Sequence, residues 1–137
     1  MKFRGAGLLA FLLMLIMVSS CATSSTEKKE PLAPGELRLV GIEFPDIGRI
    51  KQNVRYMVNI KFESDGQIEM RRACVYWDER GPACFPVADV HYGERKIYAD
   101  VATPAQGYYL FKSYVLYVRD GKTIRSNMVE TPVEITK

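Results

Sequence analysis

The chain has one His, one Trp and three Cys among 137 residues. So few soft ligands exclude an elaborate all-protein zinc or haem site, because structural zinc alone takes four Cys or His. A surplus of one charge sign is also missing, with 19 Lys and Arg against 16 Asp and Glu. No basic run or stripe occurs after residue 20, so nucleic acid is not expected as a partner. No apolar run reaches the roughly 20 residues that a membrane-spanning helix needs. No stretch after the N-terminus has a convincing helical period. What is present is ordinary globular composition, 47% apolar and 26% charged, which excludes collagen, coiled coil and disorder. Eight Tyr and an aromatic content of 11% lean toward β structure.

The N-terminus reads as an address. Met1 to Gly7 carries Lys2 and Arg4 and no acid, Leu8 to Val18 is unbroken apolar sequence, and the small residues Ser19 and Ser20 precede Cys21. A positive n-region, a short h-region and a small-residue cleavage site make a signal peptide over 1–20. Val18-Ser19-Ser20-Cys21 resembles the lipobox of bacterial lipoproteins. That resemblance implies that Cys21 becomes the first residue of the mature chain, with a diacylglycerol on its thiol and an acyl chain such as palmitate on its amine. Each buried CH₂ contributes about 0.8 kcal/mol, and two chains already anchor stably. Ala22 stands where the family's inner-membrane retention signal is Asp, which implies the outer membrane, facing the periplasm. Losing Lys2 and Arg4 from the 19 cationic residues leaves 17 against 16 acids, close to neutral.

Residues 21–35 are polar, contain Pro31 and Pro34 and lack periodicity, so a flexible tether is expected there. The remaining 36–137 is large enough for one core and is dominated by period-2 alternation. Val54, Tyr56, Val58, Ile60 and Phe62 make the cleanest strand. Leu37 and Leu39 open an earlier one, whose phase switches at Gly41 before Ile42 and Phe44, as at a bulge. Further strands are expected from Ile68 to Trp77, Cys84 to Val90, Ile97 to Val101, Tyr108 to Val118 and Lys122 to Ile135. Turn signals separate them at Asp65-Gly66, Glu79-Arg80-Gly81, Tyr92-Gly93, Pro104 to Gly107 and Asp120-Gly121. About seven short strands with regular turns predict an all-β, antiparallel β-sandwich.

Gly107-Tyr108-Tyr109-Leu110-Phe111 resembles the Gly-x-Tyr-x-Cys stretch that begins strand F of immunoglobulin-like domains. The resemblance implies a corner role for Tyr109 and places Phe111 where that family has its inter-sheet Cys. The tight Asp65-Gly66 turn departs from the pattern, because immunoglobulin strands B and C lie in different sheets. A transthyretin-like sandwich is the alternative topology.

A two-residue hairpin at Asp120-Gly121 pairs Val118 with Thr123, Tyr117 with Ile124 and Leu116 with Arg125. Continued, it pairs Tyr114 with Asn127 and Ser113 with Met128. Tyr109, Phe111, Val115 and Tyr117 then face the core, on the side of Ile124 and Met128. Tyr108, Leu110, Tyr114 and Leu116 form an outward apolar row interrupted by Lys112 and flanked by Arg125 and Asn127. Tyr and Arg are enriched at binding hot spots, so these seven residues are the candidate interface.

Cys74 and Cys84 are an even pair ten residues apart around a turn, in an oxidising compartment. They fall opposite each other if the hairpin loop has three or five residues, and a disulfide there stabilises by about 2.5–3 kcal/mol. Catalytic signatures are missing. Gly121-Lys122-Thr123 mimics the tail of a phosphate loop, yet position 116 is Leu where a Gly is required. His91 reads as a strand-end residue, and no Gly-x-Ser-x-Gly elbow accompanies it. No catalytic residue, metal or cofactor is expected. The sequence predicts an outer-membrane-anchored lipoprotein presenting a non-catalytic binding or envelope-structural module, with another envelope protein as partner. The alternatives are an accessory anchoring subunit of a secretion assembly, or a small hydrolase or ligand carrier.

Overall fold

A computed structural model describes residues 29–45, 49–87 and 90–137. The expected signal peptide, Cys21 and the tether as far as Lys28 lie outside the described residues. Among the described residues nine strands follow in order: β1 (Leu37–Glu43), β2 (Arg55–Ser64), β3 (Met70–Trp77), β4 (Arg80–Pro86), β5 (Val90–His91), β6 (Lys96–Ala102), β7 (Gly107–Arg119), β8 (Lys122–Arg125) and β9 (Val129–Ile135). They form two antiparallel sheets. One runs β1-β2-β6-β5; the other runs β4-β3-β7-β8, with β9 also on β7. In immunoglobulin terms these are the A-B-E-D and C′-C-F-G sheets, and the fold is an immunoglobulin-like sandwich.

The transthyretin-like alternative fails at the Asp65-Gly66 turn, which is no hairpin. Gly66 takes a positive φ of 75°, Asp65 N–H donates to the Glu36 carbonyl, and the Asp65 carboxylate accepts from Gly35 N–H. The chain then drops buried Ile68 into the core and emerges in the other sheet as β3. Residues Pro31–Lys137 form one compact unit.

Two expected strands are each two elements. Cys84 to Val90 divides because β4 and β5 belong to different sheets, a change of layer that a continuous apolar pattern conceals. Lys122 to Ile135 divides at Ser126–Met128. Leu116 pairs with Arg125 as expected, but Ser113 pairs with Val129 rather than Met128. One extra residue has entered this edge. Val133 and Ile135 are thereby turned into the core, and Met128 is left exposed. Ser126 holds the irregularity: its N–H donates to the Val115 carbonyl, and its Oγ accepts from Val115 N–H at 2.9 Å. The expected phase switch in β1 is present, as a register shift between Leu39 and Gly41.

The core is built from the inward faces of both sheets. Val58, Ile60 and Phe62 of β2 and Ile97, Ala99 and Val101 of β6 meet Ala73 and Val75 of β3 and Phe111, Val115 and Tyr117 of β7. Phe111 stands where the family has its inter-sheet cysteine. Its ring centroid lies 4.7 Å from Trp77 and 5.0 Å from Phe44, so an aromatic cluster does the cross-sheet packing at this position. Tyr109 is the corner residue: its hydroxyl donates to the Ala105 carbonyl at 2.9 Å. A Cβ on Gly107 would lie 3.2 Å from the Tyr109 ring, so a larger residue there would have to push the ring aside by a few tenths of an ångström.

Phe111 is fully buried, and truncating such a ring costs about 3–5 kcal/mol. Phe111→Ala is expected to shift the urea midpoint by that amount or to prevent folding. Tyr109→Phe keeps the ring and loses one hydrogen bond, so it is expected to cost about 1 kcal/mol. Equal costs for the two, measured by equilibrium unfolding, would remove the aromatic cluster from its place at the centre of the fold.

Candidate binding face on the outer side of strand β7

Inward Phe111, Ser113, Val115 and Tyr117 are buried, so strand alternation turns Tyr108, Leu110, Lys112, Tyr114, Leu116 and Val118 outward. The expected row therefore exists. Its members differ in what surrounds them. Tyr108 is 81% exposed, and its hydroxyl donates to Glu134 at 3.1 Å, which raises the phenol above its ordinary pKa. Leu110 and Leu116 are half-buried. The backbone of Leu110 is bracketed by Asp78, whose Oδ1 accepts its N–H at 2.6 Å and whose N–H donates to its carbonyl. Lys112 reaches Glu79 at 3.0 Å, and this hydrogen bond raises its pKa.

Tyr114 is outward yet only 8% exposed. The Arg125 guanidinium covers its ring at 4.1 Å, the Tyr76 ring stands 5.9 Å away, and Cys74 is directly opposite on β3. Burial, then the hydrogen bond with Tyr76, pushes its phenol up, while Arg125 opposes that shift. Tyr114 is thus packing on the outer side of the sheet.

Asn127 requires a correction. The extra residue at Ser126–Met128 takes it out of register with Tyr114, and it turns to the other sheet. Its Oδ1 accepts Leu39 N–H at 2.8 Å and its Nδ2 donates to the Leu39 carbonyl at 2.9 Å. Asn127 is a clasp between β1 and the β8–β9 junction and does not flank the row.

The same face carries groups that the sequence reading left out. Arg72 is exposed beside Leu116, and Tyr76 lies beside Lys112. The expected Cys74–Cys84 disulfide is present on this face and crosses from β3 to β4 with Cα atoms 4.1 Å apart. The cysteines are register partners although the turn holds only Asp78 and Glu79. A register shift between Val75 and Trp77 supplies the offset. Alternation with buried Ala73 and Val75 marks Arg72 and Tyr76 as outward; their place next to β7 depends on long-range pairing.

His91 is exposed at the strand end expected for it, its ring edge-on to Tyr98 at 4.7 Å. Among the described residues no group of three or more His, Cys, Asp or Glu is placed to hold a metal ion. No helix among them is long and apolar enough to cross a membrane.

No protein-family model matches the chain. No curated protein matches it either. Among solved structures it is similar to a CARDB domain from Pyrococcus furiosus, crystallised in complex with di-metal ions. The two are 13% identical, with a TM-score of 0.47, over 81% of this chain and 97% of that one. The immunoglobulin-like assignment stands on the strand order alone.

Burial separates the row into two kinds of residue. Tyr114→Ala is expected to cost about 2–4 kcal/mol, and Tyr108→Ala no more than about 0.5 kcal/mol. Asn127→Ala strands both backbone groups of buried Leu39 and is expected to cost about 1–3 kcal/mol. Thermal unfolding of the three variants checks the order. A Tyr108 variant as damaged as the Tyr114 variant would show that the exposed ring is packing too.

Proposed function

We propose that this protein is a lipid-anchored envelope protein whose immunoglobulin-like domain is a non-catalytic binding or structural module. Cys21 carries the lipid, and the outer membrane, on its periplasmic side, is the location. The outward face of β3, β7, β8 and β9 is the working surface, and its partner is a protein. The observation that carries this reading is the exposed ring of Tyr108, continued by half-buried Leu110 and Leu116 along one face. Apolar side chains that are rimmed by arginines and not covered by another element among the described residues suit a protein interface. The lipobox-like Val18-Ser19-Ser20-Cys21 supports the anchor.

Two experiments test the two halves. Cys21→Ser is expected to abolish acylation and leave the chain unprocessed or soluble; a mature variant that still enters the detergent phase with lipoproteins would exclude the anchor. Tyr108→Ala combined with Leu116→Ala is expected to lower partner recovery at least tenfold in crosslinking pull-downs from intact envelopes, with a nearly unchanged melting temperature. Partners retained at full yield would remove the face from the function. Tyr114 is the wrong residue for this test, because its loss alters the sheet itself.

A further inference from the structure

The outward face has two ends of opposite charge. Cross-strand register places Arg72, Leu116 and Arg125 in one row across β3, β7 and β8. Neither arginine has an ion-pair partner among the described residues, although Arg125 lies over Tyr114. Toward the other end the rows along β7 and β9 are Lys112 with Glu130, Leu110 with Pro132 and Tyr108 with Glu134. Both glutamates are exposed. A face of one sign calls for a partner of the other sign. This face carries both, at opposite ends of an apolar row, and so is complementary to itself.

We infer that the partner on this face is a second copy of the chain, held face to face about a two-fold axis; the inference rests on the reading of the face as the working surface. Outward residues on a strand are about 6.8 Å apart, and Lys112 is midway between Tyr108 and Leu116. An axis between the two copies, running across the strands at Lys112, reverses strand direction, keeps β7 over β7 and lays β9, which shares an edge of β7 with β8, over β8 of the second copy. Glu134 then meets Arg125 of the second copy, Tyr108 meets Leu116, and Leu110 meets the edge of Tyr114. Each of these pairings occurs twice, as an isologous interface requires. Lys112 meets its own counterpart. Each lysine is already held by Glu79 at 3.0 Å and stands opposite Glu130, so the centre is not an unbalanced positive charge. Packed sheets cross at about 30°, so the register is tightest near the axis. Pairing gains most when both copies are confined to one surface.

The test uses the full chain in intact cells, with Leu110 replaced by the photo-crosslinking residue p-benzoylphenylalanine. An adduct of twice the chain mass is expected, with the crosslinked peptide containing Tyr114. Arg125→Glu and Glu134→Arg, each alone, are expected to lower its yield at least tenfold, and the two together to restore it. Glu134→Arg changes an exposed residue and keeps the test valid if Arg125→Glu perturbs the sheet. A homodimeric adduct that ignores the charge swaps overturns the two-fold arrangement. An adduct with a different protein alone overturns the second copy as partner and leaves the binding face standing. No adduct of any kind, with a native circular dichroism spectrum, overturns both.

Discussion

Strand β7 spans 13 residues, and two strands in different registers share one of its edges. β8 follows the hairpin register set by Asp120-Gly121, and β9 follows one displaced by a single residue. Side chains in a strand alternate with period 2, so one residue decides which set points inward. Without the displacement Glu130, Pro132 and Glu134 would enter the core, and Thr131, Val133 and Ile135 would face solvent. With it, the apolar set closes the sandwich and the acidic set joins Tyr108 and Leu110 outside. Ser126 makes the irregularity affordable by returning both hydrogen bonds of Val115. Asn127, freed from the ladder at the same place, reaches the other sheet and occupies both polar backbone groups of Leu39. Closure of the sheets and composition of the outward face thus follow from the same inserted residue.

The centre of the sandwich is fastened by rings. Phe111 packs with Trp77 and Phe44, and Trp77 also meets the corner Tyr109 edge-on at 5.8 Å. The disulfide lies elsewhere, on the outside of β3 and β4, where it joins neighbours within one sheet. It stiffens the surface against which Tyr114 is packed. The outward face is consequently a built layer: the Tyr76 ring and the Arg125 guanidinium both pack on Tyr114, and Arg125 is also the register partner of Leu116.

Much of the architecture was legible locally. Period-2 alternation marked the strands, Gly41 marked the β1 bulge, and Asp120-Gly121 set the β7–β8 register. Tyr109 was readable as the corner residue, and Cys74 with Cys84 as the disulfide. Within the candidate face, Tyr108, Leu110 and Leu116 were placed correctly on the outside. Tyr114 was also outward, but its burial depends on Tyr76 and Arg125 arriving from two other strands.

Alternation, turn chemistry and short cysteine spacing act between residues near in sequence, so the chain alone determined an all-β domain, its strand phases and most of its core. The displacement at Ser126–Met128, the change of layer between β4 and β5, and the crossing at Asp65-Gly66 were decided by tertiary structure. Each depends on which distant strand offers free backbone groups and an apolar surface to cover, and that partner exists only once the two sheets have met.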